Sequence, residues 1–112
     1  MVNSALHPAI KLAQQYIESK LSNKITMSDL RSFTGYSERS LQLLFKNQFN
    51  MTPFGYIEEQ RLLLAHELIT LHKQNKKITQ IALDAGFKHL GRFSLKFKAR
   101  FGTHPSVLSK TT

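Results

Sequence analysis

Apolar residues recur along this chain at helical intervals, and nowhere is there the sustained two-residue alternation that a strand requires. Ile10, Ala13, Tyr16, Ile17 and Leu21 fall three or four residues apart, which predicts an amphipathic helix from about Ala9 to Leu21. Thr26 with Asp29 three positions later has the pattern of a reciprocal cap and opens a short second helix through Leu30 and Phe33. Gly35 turns the chain, Ser37 is placed to cap a third helix running to about Phe49, and Asn50 stops that helix. Pro53, suited to a first helical turn, starts a fourth helix that carries Ile57, Leu62, Leu64, Ala65, Leu68 and Ile69 to about Leu71. At roughly 18 residues it would be about 27 Å long. Lys73 to Lys77 is a short polar connection. A short helix with Ile78, Ile81, Ala82 and Ala85 follows, then a turn at Gly86 and a longer helix to Phe101. Gly102 ends it, and Pro105 opens a last short turn with Val107 and Leu108. The first and last few residues read as disordered.

Part of this pattern is written twice. Gly35-Tyr36-Ser37, Leu41, Phe45-Lys46, Phe49 and Pro53 return as Gly86-Phe87-Lys88, Phe93, Phe97-Lys98, Phe101 and Pro105. The glycines are 51 positions apart and the phenylalanines of the second helix 52, so one residue is inserted between turn and helix in the second copy. A period of this size marks one supersecondary unit used twice. The fold class is therefore all-α, about seven helices, with a first unit over residues 1–52, a linker helix over 53–72 and a second unit over 73–112. Units of about 50 residues bury little on their own, so some shared core is expected.

At 100° per residue, Leu44, Phe45, Gln48 and Phe49 lie within about 80° of Leu41 and form with it the core stripe of the third helix. Arg39, Leu43, Lys46, Asn47 and Asn50 lie opposite. In the second copy Phe97, Arg100 and Phe101 share the core side with Phe93, while Gly91, Arg92, Leu95 and Lys98 face away. Leu43 and Leu95 hold the same place in the repeat, and both point outward. Leucines there suit thymine methyl groups in a major groove, with Arg39, Gln42 and Arg92 placed to donate to base edges. A partner protein covering them is the other reading.

Composition narrows the partner. The 112 residues carry 16 Lys and Arg against seven Asp and Glu, a net charge of +9. From Lys73 onward nine basic residues face only Asp84, whereas the residues up to His72 hold seven basic and six acidic. A field of this sign attracts polyanions. There is no cysteine, which removes disulfides and thiolate metal sites. No apolar run reaches the length of a membrane span, and residues 1–8 lack the pattern of a secretion signal, so a soluble cytoplasmic protein is expected.

Catalytic and metal chemistry find no foothold. His66-Glu67-Leu68-Ile69-Thr70 begins like a zinc-protease motif, but Thr70 stands where the second histidine must be. His66 and His72 lie about 240° apart around a helix and cannot share a metal, so they read as surface or helix-interface residues. Glu58 and Glu59 point to different faces and are expected to pair with Arg61 or nearby lysines. Ser94 has no positioned base. Neither an enzyme nor a cofactor or metal site is expected. RNA binding is disfavoured because the aromatics sit at core spacing and form no stacking platform.

The residues as a set resemble the DNA-binding domain of the AraC/XylS family of bacterial transcription regulators over nearly the whole chain. Ile81-Ala82, Gly86-Phe87, Phe93-Ser94, Phe97-Lys98, Gly102 and Pro105 carry the strongest part. Leu30, Gly35-Tyr36-Ser37, Leu41, Phe45-Lys46, Pro53, Tyr56-Ile57 and Arg61-Leu62 carry the first half. Leu90 to Ser94, with Phe101-Gly102 and Pro105-Ser106, are similar to the XylS-like branch. The resemblance implies two homeodomain-like helix-turn-helix units joined by one long helix, a monomeric domain, no small-molecule ligand in this segment, and double-stranded promoter DNA as partner. It implies a nucleoid-associated regulator, an activator able to touch RNA polymerase, reading roughly 20 base pairs of one asymmetric site. By position, base reading falls on Arg39, Gln42 and Leu43, then on Leu90, Gly91, Arg92 and Leu95. Phosphate contacts fall on Ser37, Ser40, Lys46, Lys88, His89 and Lys98. Many members have arginine where this chain has Leu43 and Leu95, which moves the expected preference from guanine to thymine. His104 stands where Ser or Thr is frequent. Lys77 and Lys88 replace Thr26 and Ser37 at expected N-caps, where a bound phosphate would offset the missing cap. The alternative from another class is a basic helical adaptor anchored on Leu43 and Leu95.

Overall fold

The computed structural model describes residues 6–110, which form seven α-helices and a 3-10 turn, with no strand among them. The expectation of disorder at the ends concerns residues outside this range. The helices are α1 (Pro8–Ser19), α2 (Met27–Thr34), α3 (Glu38–Phe49), α4 (Pro53–His72), α5 (Ile78–Asp84), α6 (Leu90–Phe101) and α7 (Pro105–Lys110), with the 3-10 turn at Lys73–Asn75. The chain divides into two compact units, Met1–Glu58 and Glu59–Thr112, so the boundary falls inside α4.

Local chemistry sets the helix ends. At α2 the Thr26 backbone N–H donates to Asp29 Oδ2 (2.9 Å), and the Asp29 N–H donates to Thr26 Oγ1 (3.0 Å), the reciprocal cap read from the sequence. At α3 the Ser40 N–H donates to Ser37 Oγ (3.1 Å). At α4 the Gly55 N–H donates to Thr52 Oγ1 (3.0 Å). The two turns that precede α3 and α6 need a left-handed residue, and glycine fills both: Gly35 at φ 78° and Gly86 at φ 101°. Asn50, at φ 58°, ends α3 in the same conformation. Thr26→Ala is expected to lower the stability of the first unit by about 1 kcal/mol, read as a shifted denaturation midpoint. Lys77→Ala, where no side-chain cap exists, is expected to change stability far less.

The first unit packs α1, α2, α3 and the start of α4 around Ala9, Ile10, Ala13, Ile17, Ile25, Leu30, Leu41, Phe45 and Ile57, all buried. Phe45, Phe49 and Tyr56 pack together in tilted and edge-on contacts, and Gln14 Nε2 donates to the Tyr56 hydroxyl (3.0 Å). The second unit packs the rest of α4 with α5, α6 and α7 around Leu62, Ala65, Ile69, Ile81, Ala82, Ala85, Phe93 and Phe97. The expected shared core is thus replaced by two core clusters, one in each unit, because α4 contributes apolar residues to each in turn.

Several expectations need correction. Helix α1 ends at Ser19, two residues early, although Leu21 still packs on the first core. Gln48, assigned to the core stripe, is exposed, while Leu44 and Phe49 are only partly buried. Lys88 is not the N-cap of α6: the inserted residue lengthens the turn, and His89 takes that position without a side-chain cap bond. The polar connection after α4 contains Lys73 at φ 52°, a left-handed conformation that is unfavourable for a side-chain-bearing residue. Its carbonyl accepts from Ser109 Oγ (2.9 Å), which ties α7 to the turn and helps hold it.

Candidate nucleic-acid interface

In each unit a short helix, a glycine turn and a 12-residue helix follow one another: α2, Gly35, α3 and then α5, Gly86, α6. The second helix buries its phenylalanine and leucine stripe and leaves the opposite side bare. On α3, Arg39, Gln42, Leu43 and Lys46 are exposed, with Leu43 at 53%. On α6, Leu90, Gly91, Arg92, Leu95 and Lys98 are exposed, with Leu95 at 71%. An isolated exposed leucine is ordinary, but these two share one place in the repeat. A Cβ on Gly91 would meet nothing within 4 Å, so packing does not demand glycine there. Its bare backbone leaves room for a close approach from outside.

The phosphate candidates differ in availability. Lys46, Lys88, His89 and Lys98 are exposed. Ser37 and Ser40 are already engaged with each other, their hydroxyls 3.0 Å apart, and Ser40 is half-buried. His89 and Lys77 occupy N-caps with no side-chain hydrogen bond, so the first N–H groups of α6 lack the partner that Ser37 gives to α3.

Not all of the basic surplus belongs to the bare faces. Arg100 forks onto Glu59, with Nε 3.0 Å from both carboxylate oxygens and Nη2 2.9 Å from Oε2, and its guanidinium lies 4.8 Å from the Phe101 ring centroid. That carboxylate holds the Arg100 pKa above its ordinary value. The partner of Glu59 is therefore Arg100, not the expected Arg61 or a lysine, because the core side of α6 brings Arg100 against α4. Lys76 pairs with Asp84 at 2.9 Å. That hydrogen bond and one from Gln80 hold the Asp84 carboxyl below the usual carboxylate range.

Glu38 carries a contact that spacing did not single out. It is the first residue of α3, and its Oε2 accepts from Gln42 Nε2 at 3.3 Å. His66 lies against Phe97 and Phe101, with centroids 6.1 and 4.5 Å away, as a helix-interface histidine. Among the described residues no group of three or more His, Cys, Asp or Glu could hold a metal, and no helix is long and apolar enough to cross a membrane. A groove of about 200 Å³ is lined by Lys76, Lys77, Ile78, Ser106, Ser109 and Lys110. Small-molecule pockets are commonly larger, roughly 300–1,000 Å³.

Two helix-turn-helix units, each with a bare second helix bearing cations, define a double helix-turn-helix protein. A family model described as a helix-turn-helix domain matches residues 30–111. The chain belongs to the AraC/XylS-type family of DNA-binding transcription regulators. It is 34% identical over 101 residues to XylDLEGF operon transcriptional activator 2 of Pseudomonas putida, covering 89% of this chain and 64% of that one. It is 39% identical over 99 residues to the putative HTH-type transcriptional regulator YkgA of Escherichia coli K12, covering 85% and 40%. The chain therefore spans less than two thirds of the length of these relatives. A probable AraC family transcriptional regulator from Rhodopseudomonas palustris superposes with a TM-score of 0.82 at 29% identity, covering 91% of this chain and 94% of that one. The C-terminal domain of AraT from Geobacillus stearothermophilus does so at 0.85 and 25%, covering 97% and 89%.

Proposed function

We propose that the chain reads one asymmetric double-stranded promoter site of roughly 20 base pairs, with α3 and α6 entering major grooves about one turn apart. The observation that carries this is the matched pair of bare helix faces, whose shared outward leucines are flanked by Arg39 and Gln42 in one copy and by Arg92 in the other. In this reading Arg39, Gln42, Leu43, Leu90, Gly91, Arg92 and Leu95 meet base edges, and the leucines favour thymine methyl groups. Lys46, Lys88, His89 and Lys98 bind phosphate; Ser37, the N-cap, and Ser40 in the first turn do so at the N-terminal end of α3. Helix α4 links a reading unit over residues 1–52 to one over 73–112. The protein is a cytoplasmic, nucleoid-associated regulator without catalytic activity that binds DNA as a monomer through this domain. It acts as an activator, by analogy with the P. putida operon transcriptional activator, and in this reading it does so by touching RNA polymerase.

Hydroxyl-radical footprinting of a high-affinity duplex tests the two-groove arrangement. Two protected patches about 10 base pairs apart on one DNA face are expected. One patch of half that extent would show that only one unit engages DNA. A second reading, a protein-docking adaptor, is favoured by the 71% exposure of Leu95. It predicts that Leu95→Ser weakens a protein complex and leaves DNA binding unchanged.

A further inference from the structure

Glu38 is the one carboxylate on either exposed helix: α3 reads ERSLQLLFKNQF, and α6, LGRFSLKFKARF, has none. It is exposed, and it accepts from the Gln42 amide, a neutral group that brings no positive charge to the carboxylate. A bare negative charge on a surface that approaches phosphates weakens binding to every sequence alike. In a major groove it becomes favourable only where it can accept a hydrogen bond from an exocyclic amino group, which cytosine presents at N4 and adenine at N6. Glu38 is well placed for that, because the N-terminal residues of a recognition helix are those that reach base edges. Gln42, one turn further along, donates a single Nε2 hydrogen to Glu38. That contact steadies the carboxylate and leaves the amide's other hydrogen and its oxygen available.

We propose that Glu38, steadied by Gln42, selects a base with a major-groove amino group, cytosine before adenine, in the half-site read by α3. At that position it rejects guanine and thymine, whose O6 and O4 acceptors face a carboxylate with nothing to donate. The inference rests on α3 entering a major groove as proposed above. Leu90 holds the matching place in the second copy, so this selection applies to one half-site only. Glu38 is thus a specificity determinant that lowers non-specific affinity while it sharpens choice.

The test is selection of bound duplexes from a random pool with the whole chain, using wild type, Glu38→Ala and Glu38→Gln, together with titration of a scrambled duplex. Wild type is expected to enrich cytosine at one position of one half-site. Glu38→Ala should erase that preference, a loss of roughly five- to a hundredfold in discrimination. It should leave the other half-site unchanged and bind the scrambled duplex more tightly. Glu38→Gln should move the preference toward adenine. An acidic residue in the first turn also suits the helix dipole. If that were its whole role, Glu38→Ala would weaken binding to all sequences equally and leave the base profile intact, which would overturn the assignment. A wild-type protein that enriches no sequence would overturn the two-groove reading itself, and the Glu38 assignment with it.

Discussion

Phe97→Ala is expected to unfold the second unit. Phe97 is fully buried, packs on Phe93 and Phe101 with ring centroids 5.5 and 4.6 Å away, and stacks on His66 of α4. Truncating a buried phenylalanine typically costs about 3–5 kcal/mol, from lost burial together with the cavity left behind. A unit of roughly fifty residues has a total stability of only about 3–8 kcal/mol. The loss is therefore comparable to everything that holds the unit together. Amide resonances of α5 and α6 should collapse to unfolded positions, while those of Leu30, Leu41 and Phe45, in the separate first core, should keep their dispersion. Loss of both sets together would show that the two cores fold as one. Retention of both would show that the aromatic cluster matters less than its burial indicates.

The second large effect separates base reading from backbone gripping on one helix. Arg92 and Lys98 are both exposed on α6, one in its first turn and the other in its last. Arg92→Ala is expected to cost about 1–3 kcal/mol against the preferred duplex and to relax choice at one base position. Lys98→Ala should weaken all duplexes almost uniformly and reduce the salt slope by about 1. Fluorescence titration of a preferred and a scrambled duplex at several salt concentrations distinguishes them. Identical behaviour of the two variants would remove the division of labour assigned to α6. Arg100→Ala is a useful contrast, because its guanidinium is committed to Glu59. It should lower stability modestly and leave the salt slope close to that of the wild type.

Much of this was legible in the sequence because local chemistry and helical period agree. The Thr26–Asp29 cap, the Ser37 cap, the glycine turns and the stops at Asn50 and Gly102 are short-range signals, and each lies where its pattern placed it. The repeat identified α3 and α6 as equivalent helices before any contact was known. What stayed hidden depends on contacts between elements distant in sequence, or on choices within one turn. Glu59 and Arg100 are 41 residues apart, and no spacing rule pairs them. The inserted residue before α6 could lie on either side of the cap, and only the observed backbone assigns the cap to His89 rather than Lys88. Gln48 falls within the apolar arc by angle, yet it is exposed, because a wheel does not show how far the neighbouring helices reach. Glu38 and Gln42 are a legible i,i+4 pair, but the sequence did not show that the amide turns toward the carboxylate.

In the proposed function, two unlike helices, α3 and α6, together recognise one particular duplex. Titrating the intact chain with its selected duplex and with a scrambled one, between 50 and 200 mM salt, tests it most directly. A preference on the order of a thousandfold or more for the selected duplex is expected, with affinity falling steeply as salt rises. Equal affinity for both duplexes at every salt concentration would contradict it.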